Sequence, residues 1–264
     1  MYKNLKIKIV LFIFFSALIP PNAHGGSLDE IKKLFTMGRF EEARTEAVKM
    51  NTAEGYAIAS ESLLAQILLG EVGKLNSHSQ SARSLAEKAI ALDSNLYNAQ
   101  LQYAISDGFV TRTTSAIKAW QKKLPKKTLT KIKNFREMYP EDALGLALEG
   151  AWHLGVIRKV GEKNSRDWFG ASLSEGIHLY NMAMALSSDN TLIEVNYAMS
   201  LLAVDSNRWK SFAEKLLLNV SKRDEKDYLS KQVQLKSIQV LEVIADDKKS
   251  KIYARKFLDG KPIK

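Results

Sequence analysis

The chain has 264 residues, no cysteine and a formal net charge of +10. Without cysteine there is no disulfide, no thiolate metal site and no cysteine nucleophile, so stability must rest on the core. The length is ample for one.

Lys3, Lys6 and Lys8 precede an apolar run from Ile9 to Ile19, which Pro20 and Pro21 end. The run is too short to anchor in a bilayer. Followed by Ala23-His24-Gly25, it has the form of a secretory signal peptide cut near Gly25. The expected division is a signal peptide over 1–25, a helical-repeat domain over 26–245 and a basic C-terminal helix or tail over 246–264. No cysteine follows the apolar run, so neither a lipid anchor nor a transmembrane anchor is expected after cleavage. The expected location is periplasmic or secreted.

Ser27 and Glu30 have capping-box spacing and open a helix through about Met37. Gly38-Arg39-Phe40 turns the chain into a partner helix from Glu41 to Met50. Ala53 to Leu69 is the next helix, ending at Gly70. The polar stretch 71–80 reads as a turn before a helix from Ser81 to Leu92. Asn98–Ser106 and Thr114–Lys123 pair as a third hairpin, and Pro125 starts a further helix to about Met138. Tyr139-Pro140-Glu141-Asp142 stops and restarts the chain before an apolar helix, Ala143–Val156. Ser172 and Glu175 cap the helix to Leu186. Thr191–Val204 and Ser211–Val220 pair next, and helices follow over Tyr228–Ile244 and Lys249–Leu258. No alternating pattern of period two occurs, so the fold class is all-α.

Two regularities point to repeats. Ala82, Ala86 and Ala89 share one helical face, and a similar face begins at Ala116 with Trp120. Ala89, Ala91, Leu92, Ser94, Tyr103 and Ala104 recur as Ala183, Ala185, Leu186, Ser188, Tyr197 and Ala198. A period near 34 marks stacked helical hairpins, each hiding its apolar face against its neighbours.

On these residues the chain resembles the tetratricopeptide-repeat superfamily over 28–220. Gly70, Ala82, Ala86 and Ala89 fall at repeat positions in one unit, Ala104, Ala116 and Trp120 in the next, and Gly150, Tyr180 and Ala183 in a later one. The usual terminal proline is present only as Pro140. Residues 131–186 are also similar to the tetratricopeptide-like region of regulator-of-microtubule-dynamics proteins. Bacterial envelope proteins with such repeats, including the repeat subunit of some tripartite periplasmic transporters, have a similar layout. The resemblance implies a helical-hairpin solenoid with additional C-terminal helices. Peptide-clamping members carry Lys, Arg and Asn where this chain has Leu144, Ala147, Ala151 and Leu154, then Leu192, Val195, Met199 and Leu202. A clamp for a terminal carboxylate is therefore not expected.

Those two helices are apolar on nearly every side, which predicts a covered groove. The helix over Tyr228–Ile244, through Leu235, Ile238, Leu241 and Val243, is the expected cover.

Catalytic signatures are missing. His24, His78, His153 and His178 have no metal-binding spacing, and no nucleophile elbow, phosphate loop or dinucleotide fingerprint occurs. No metal, no cofactor and no enzymatic activity are expected.

Charge is uneven. Residues 108–136 hold nine basic groups and no acid, and residues 248–264 hold seven against Asp259. The candidate basic patches are Lys118, Lys122, Lys126, Lys127 and Lys131, and then Lys248, Lys249, Lys251, Arg255 and Lys256. They are either solvated faces or docking sites for an acidic protein or anionic surface. Trp120 and Phe135 within the first patch fall at core positions, and an exported protein does not meet nucleic acid. The terminal helix is expected to pack weakly and to be dispensable for folding.

Placing Gly150 and Gly176 at repeat positions requires about 14 residues more than a plain unit, the irregular stretch being 155–170, and such extras commonly emerge on a binding face. Arg158, Lys159, Lys163, Arg166, Trp168 and Phe169 form a candidate interaction loop, unless the preceding helix runs on and Trp168 plugs the core. The leading expectation is a non-catalytic scaffold that holds a partner protein in the cell envelope. The second is a periplasmic module for an apolar or small organic ligand, accessory to transport, and the third an enzyme of unrecognised type.

Overall fold

The computed structural model describes residues 26–263, so the signal-peptide reading of 1–25 lies outside the described residues. The protein is all-α: thirteen helices, and no strand among the described residues.

Helices α1 (Leu28–Thr36) and α2 (Phe40–Lys49) form the first hairpin. The capping box closes both ways: Ser27 N–H donates to Glu30 Oε2 at 2.7 Å, and Glu30 N–H to Ser27 Oγ at 3.3 Å. Helix α3 (Ala53–Leu68) is apolar on most sides and correspondingly buried. Helix α4 (Leu75–Leu92) starts well before the expected Ser81, so His78 is helical and not in a turn. Ser79 explains the difference: its hydroxyl donates to Leu75 O at 2.8 Å and buries without loss.

Helix α5 (Tyr97–Thr113) is longer than expected, and its partner α6 (Ala116–Gln121) is a short turn of helix. Helix α7 (Leu124–Met138) carries Pro125 in its first turn, where the missing N–H costs nothing. Helix α8 (Ala143–Val160) is capped by the Asp142 carboxylate, which accepts from Gly145 N–H at 2.7 Å. It runs past Val156, and Gly161 at φ +81° then turns the chain into α9 (Glu162–Phe169). The expected interaction loop is thus two helical segments. Helix α10 (Leu173–Leu186) starts at Ser172, as expected.

Helix α11 (Thr191–Ser221) is broken at Asp205 (φ −150°, ψ 97°), whose carboxylate accepts from Arg208 N–H at 3.2 Å. The arms run back to back, because Asn219 Nδ2 donates to Glu194 Oε2 at 3.4 Å and Arg223 pairs with the same buried carboxylate. The expected hairpin is present with a far tighter turn. Helices α12 (Tyr228–Leu241) and α13 (Asp247–Leu258) end the chain.

Helices pack on their chain neighbours: α2 on α3, α3 on α4, α4 on α5, α5 on α7, α7 on α8 and α8 on α10. The internal sequence match has a structural counterpart. Ala89 and Ala183 are fully buried at the ends of α4 and α10, Leu92 and Leu186 are both exposed, and Ala104 and Ala198 are again buried on the next helix.

The apolar face of α11 is covered, as expected. Val195, Met199 and Leu202 share one core with Val233 and Val240 of α12 and with Ala254 and Phe257 of α13. Of the facing residues expected on α12, Leu241 packs against this core but Leu235 is exposed, while Val233, Ser237 and Val240 turn inward. The same core takes in Phe40, Ala65 and Leu69. Helix α13 is therefore not a weakly packed tail: Ala254, Phe257 and Leu258 are buried in the body, and no structural boundary falls at 245. Lys248, Lys249 and Arg255 lie on its exposed face with Ile252, while Ala254, Phe257 and Leu258 point inward.

Candidate functional site

The principal concave feature is a cavity of about 1000 Å³ bounded by α5, α7 and α8, with α6 and α9 at its lip. Its walls are apolar: Ile105 and Phe109 from α5, Ile132 from α7, and Leu148, Trp152 and Val156 from α8. That volume is at the upper end of what small-molecule sites occupy.

Two glycines lie on its walls. Gly108 on α5 and Gly155 on α8 both line the cavity, and a Cβ built on either would touch nothing within 4 Å. Glycine inside a helix costs about 1 kcal/mol relative to alanine. Elsewhere in the fold that cost has a packing reason. At Gly150, Tyr180 Cδ2 would lie 2.8 Å from the added carbon, so α8 and α10 cross closely only because both lack side chains there. At Gly108 and Gly155 the space itself is what alanine would diminish.

Polar ties join α7 to α5 and α8. Trp152 Nε1–H donates to Pro125 O at 2.8 Å, fixing the indole as a wall. The buried Asp107 carboxylate accepts from Thr128 Oγ1 at 2.6 Å on Oδ2, and on Oδ1 from Lys131 Nζ and from Arg83 Nη1 at 3.4 Å. Thr128 Oγ1 also lies 2.8 Å from Thr111 Oγ1. Both threonines line the cavity, so hydrogen bonds join α5 and α7 along its wall.

The lip is unusual for a soluble surface. Ile117, Trp120 and Trp168 all line the cavity and are 72%, 66% and 52% exposed. Trp120 is thus no core residue, whereas Phe135 is buried as expected. Trp168 does not plug the core either. Phe169 beside it packs inward with Trp152 and Ile132.

Charge enters the site from one direction. Arg112 on α5 and Lys159 on α8 are its two cationic lining residues. Arg158 donates to Asp259 Oδ1 at 2.8 Å, and Lys159 Nζ lies 3.6 Å from the same oxygen. Burial pushes the Arg112 guanidinium below its ordinary value, helped by the neighbouring charge of Arg158. Burial also lowers the Lys159 amine. Burial alone would raise Asp259, but the hydrogen bond and charge of Arg158, with Lys159 and Arg112, hold it below the usual carboxylate range.

The residues singled out in the sequence separate into groups. Arg158 is buried in its ion pair, Lys159, Trp168 and Phe169 reach the cavity, and Lys163 and Arg166 are exposed on the outer side of α9. Lys118, Lys122, Lys126 and Lys127 are exposed around α6 and the start of α7. Lys131 is committed to Asp107 and also lies over the Tyr103 ring at 4.2 Å. On α13, Lys248, Lys249 and Arg255 are exposed, Lys251 and Lys256 half-buried, and Arg255 Nε donates to Ala203 O at 3.3 Å. The structure brings Lys159, Trp168 and Phe169 to one site and leaves the α13 cations on a separate helix. Sequence reasoning missed Arg112, Gly108 and Gly155; the signal that was present is a glycine inside each of two helices.

Among the described residues no group of three or more histidines and carboxylates is placed to hold a metal ion, and no helix is long and apolar enough to cross a membrane. No protein-family model matches the sequence, and no curated protein matches it significantly.

Proposed function

We propose that this is an exported, non-catalytic helical-repeat protein whose central cavity binds an apolar small molecule. The single observation that carries the reading is the apolar-walled cavity of about 1000 Å³ between α5, α7 and α8. An apolar space of that size costs stability when empty, because its lining loses dispersion contacts. The exposed Ile117, Trp120 and Trp168 give a ligand an apolar route in. On this reading the hairpins stack as a tetratricopeptide-like solenoid, and its irregular stretch, α9, supplies one side of the lip. A transport accessory in the cell envelope fits such a binding module.

The test uses a neutral apolar probe, N-phenyl-1-naphthylamine, with the purified protein. Saturable binding near one probe per chain is expected, and Gly155→Leu should abolish it while the protein melts no lower than the parent. A parent that binds no probe, or a filled variant that binds it equally well, overturns the reading.

A second reading keeps the partner protein. Exposed Ile117 and Trp120 sit among Lys118, Lys122, Lys126 and Lys127. Aromatic anchors in a cationic ring suit an acidic protein surface. Trp120→Ala would weaken such a complex without emptying the cavity.

A further inference from the structure

The cavity's two cations are not both accounted for by the fold. Arg112 has five N–H donors, and one of its Nη groups donates to Leu258 O at 3.2 Å. Among the described residues no carboxylate lies within ion-pair distance of it, while Asp259 is already shared by Arg158 and Lys159. Three cations therefore meet one carboxylate where α5, α8 and the end of α13 converge. Two of the three, Arg112 and Lys159, face the cavity. The Arg112 guanidinium lies 5.1 Å from the Phe109 ring centre, which holds its fork against the apolar wall. Excess positive charge in a poorly hydrated place is costly until an anion arrives.

We propose that the cavity takes a single-chain amphiphile with an anionic head, carboxylate or phosphate, and that Arg112 and Lys159 hold the head while the chain lies between α5, α7 and α8. This rests on the cavity being a ligand site. The guanidinium fork matches two oxygens of such a head, and the ammonium beside it adds a third donor direction. The neighbouring threonines 111 and 114 also line the cavity. The class excludes cationic amphiphiles, which the same charges repel.

The experiment compares 11-(dansylamino)undecanoic acid with its methyl ester, which has the same chain and no charge. Trp120, Trp152 and Trp168 line the cavity, so energy transfer from tryptophan to the dansyl group reports occupancy directly. The acid is expected to bind at least tenfold more tightly than the ester, and the difference to shrink with added salt. Arg112→Gln and Lys159→Gln should each weaken the acid at least threefold and leave the ester unchanged. A purely structural role for these cations would lower both ligands together. Lys159, being half exposed, keeps the test valid if Arg112→Gln fails to fold. Displacement by laurate and by dodecyl phosphate, but not dodecanol, supports the proposal, and their order identifies the head. Equal affinity for acid and ester overturns the head-group inference and leaves the apolar cavity standing. Failure of acid, ester and the neutral naphthylamine alike overturns the cavity reading, and this inference with it.

Discussion

Removing α13 should unfold the protein, although its sequence looks like a basic appendage. Phe257 is 2% exposed and shares a core with Val195, Met199 and Leu202 of α11 and Val240 of α12. Phe257→Ala leaves a void that three surrounding helices cannot close, so the loss is about 3–5 kcal/mol. For a chain of this size each kcal/mol moves the melting temperature by about 2–4 °C. The expected drop is therefore roughly 6–20 °C. Truncation after Ala245 also removes Ala254 and Leu258 and uncovers the α11 face they protect. Leu258 alone adds about 2–5 kcal/mol, which brings the total near the whole stability of an ordinary domain. Circular dichroism at 222 nm during heating reads the result, with Lys248→Ala as the exposed control. A truncated protein whose melt coincides with the parent's would refute the packing argument.

Three further outcomes are expected. Gly150→Ala should lower the melting temperature, since about 1–3 kcal/mol of overpacking against Tyr180 outweighs the alanine preference of a helix, whereas Gly155→Ala should stabilise the fold by about 0.4–1 kcal/mol and raise the melting temperature; thermal melts in the reverse order would contradict the geometry. Burial holds His153 below its ordinary 6.5 despite Glu149 and Glu175, and its Nδ1 accepts from Ser172 N–H at 3.1 Å. The unfolded chain then binds the extra proton, so stability is complete above about pH 6.5 and declines as pH falls through that value, and His153→Gln should flatten the decline in urea titrations from pH 7.5 to 5. Asp107→Ala strands Thr128 and Lys131 and should cost about 3 kcal/mol, at the low end for a broken buried pair because Lys131 can reach water; chemical denaturation measures it, and a change below 1 kcal/mol would count against the hub.

The helices were legible because their signals are local. Ser27, Asp142 and Ser172 cap where their side chains can reach the third following N–H, and that reach is fixed by covalent geometry. Alanine spacing marked the close crossings, for Ala82, Ala86 and Ala89 are all fully buried. The errors arose where tertiary contact overrode composition. The stretch 71–80 is polar, yet Ser79 satisfies its own hydroxyl and lets α4 begin at Leu75. Trp120 has the spacing of a core residue, but α6 has too few turns to bury it. On α12 the choice between Leu235 and Val233 depends on helix rotation against α11, which no pattern along α12 encodes. The cavity was least legible of all. Its walls come from α5, α7 and α8, and the cations that face it, Arg112 and Lys159, sit on different helices and are brought together only by the packing.

The first and last helices of the described residues are joined through contacts between distant segments, and this changes how the fold can come apart. The Phe40 ring packs edge-on to Tyr228 at 5.9 Å, and a Cβ on Gly260 would lie 2.6 Å from Ile67 O, so the last residues are pressed against the end of α3. An open array of helical hairpins can fray from either terminus, losing one unit at a time with the rest intact. Here neither end of the described array stands alone: loosening α1 and α2 uncovers α12, and loosening α13 uncovers α3. The hydrogen bond from Arg112 to Leu258 spans 146 positions and can form only once nearly everything between has been placed. A chain built of local contacts, which alone would favour rapid folding, therefore ends on a late and distant closure. Its unfolding should be one concerted event, with far-ultraviolet dichroism and tryptophan emission lost together and no half-melted array between.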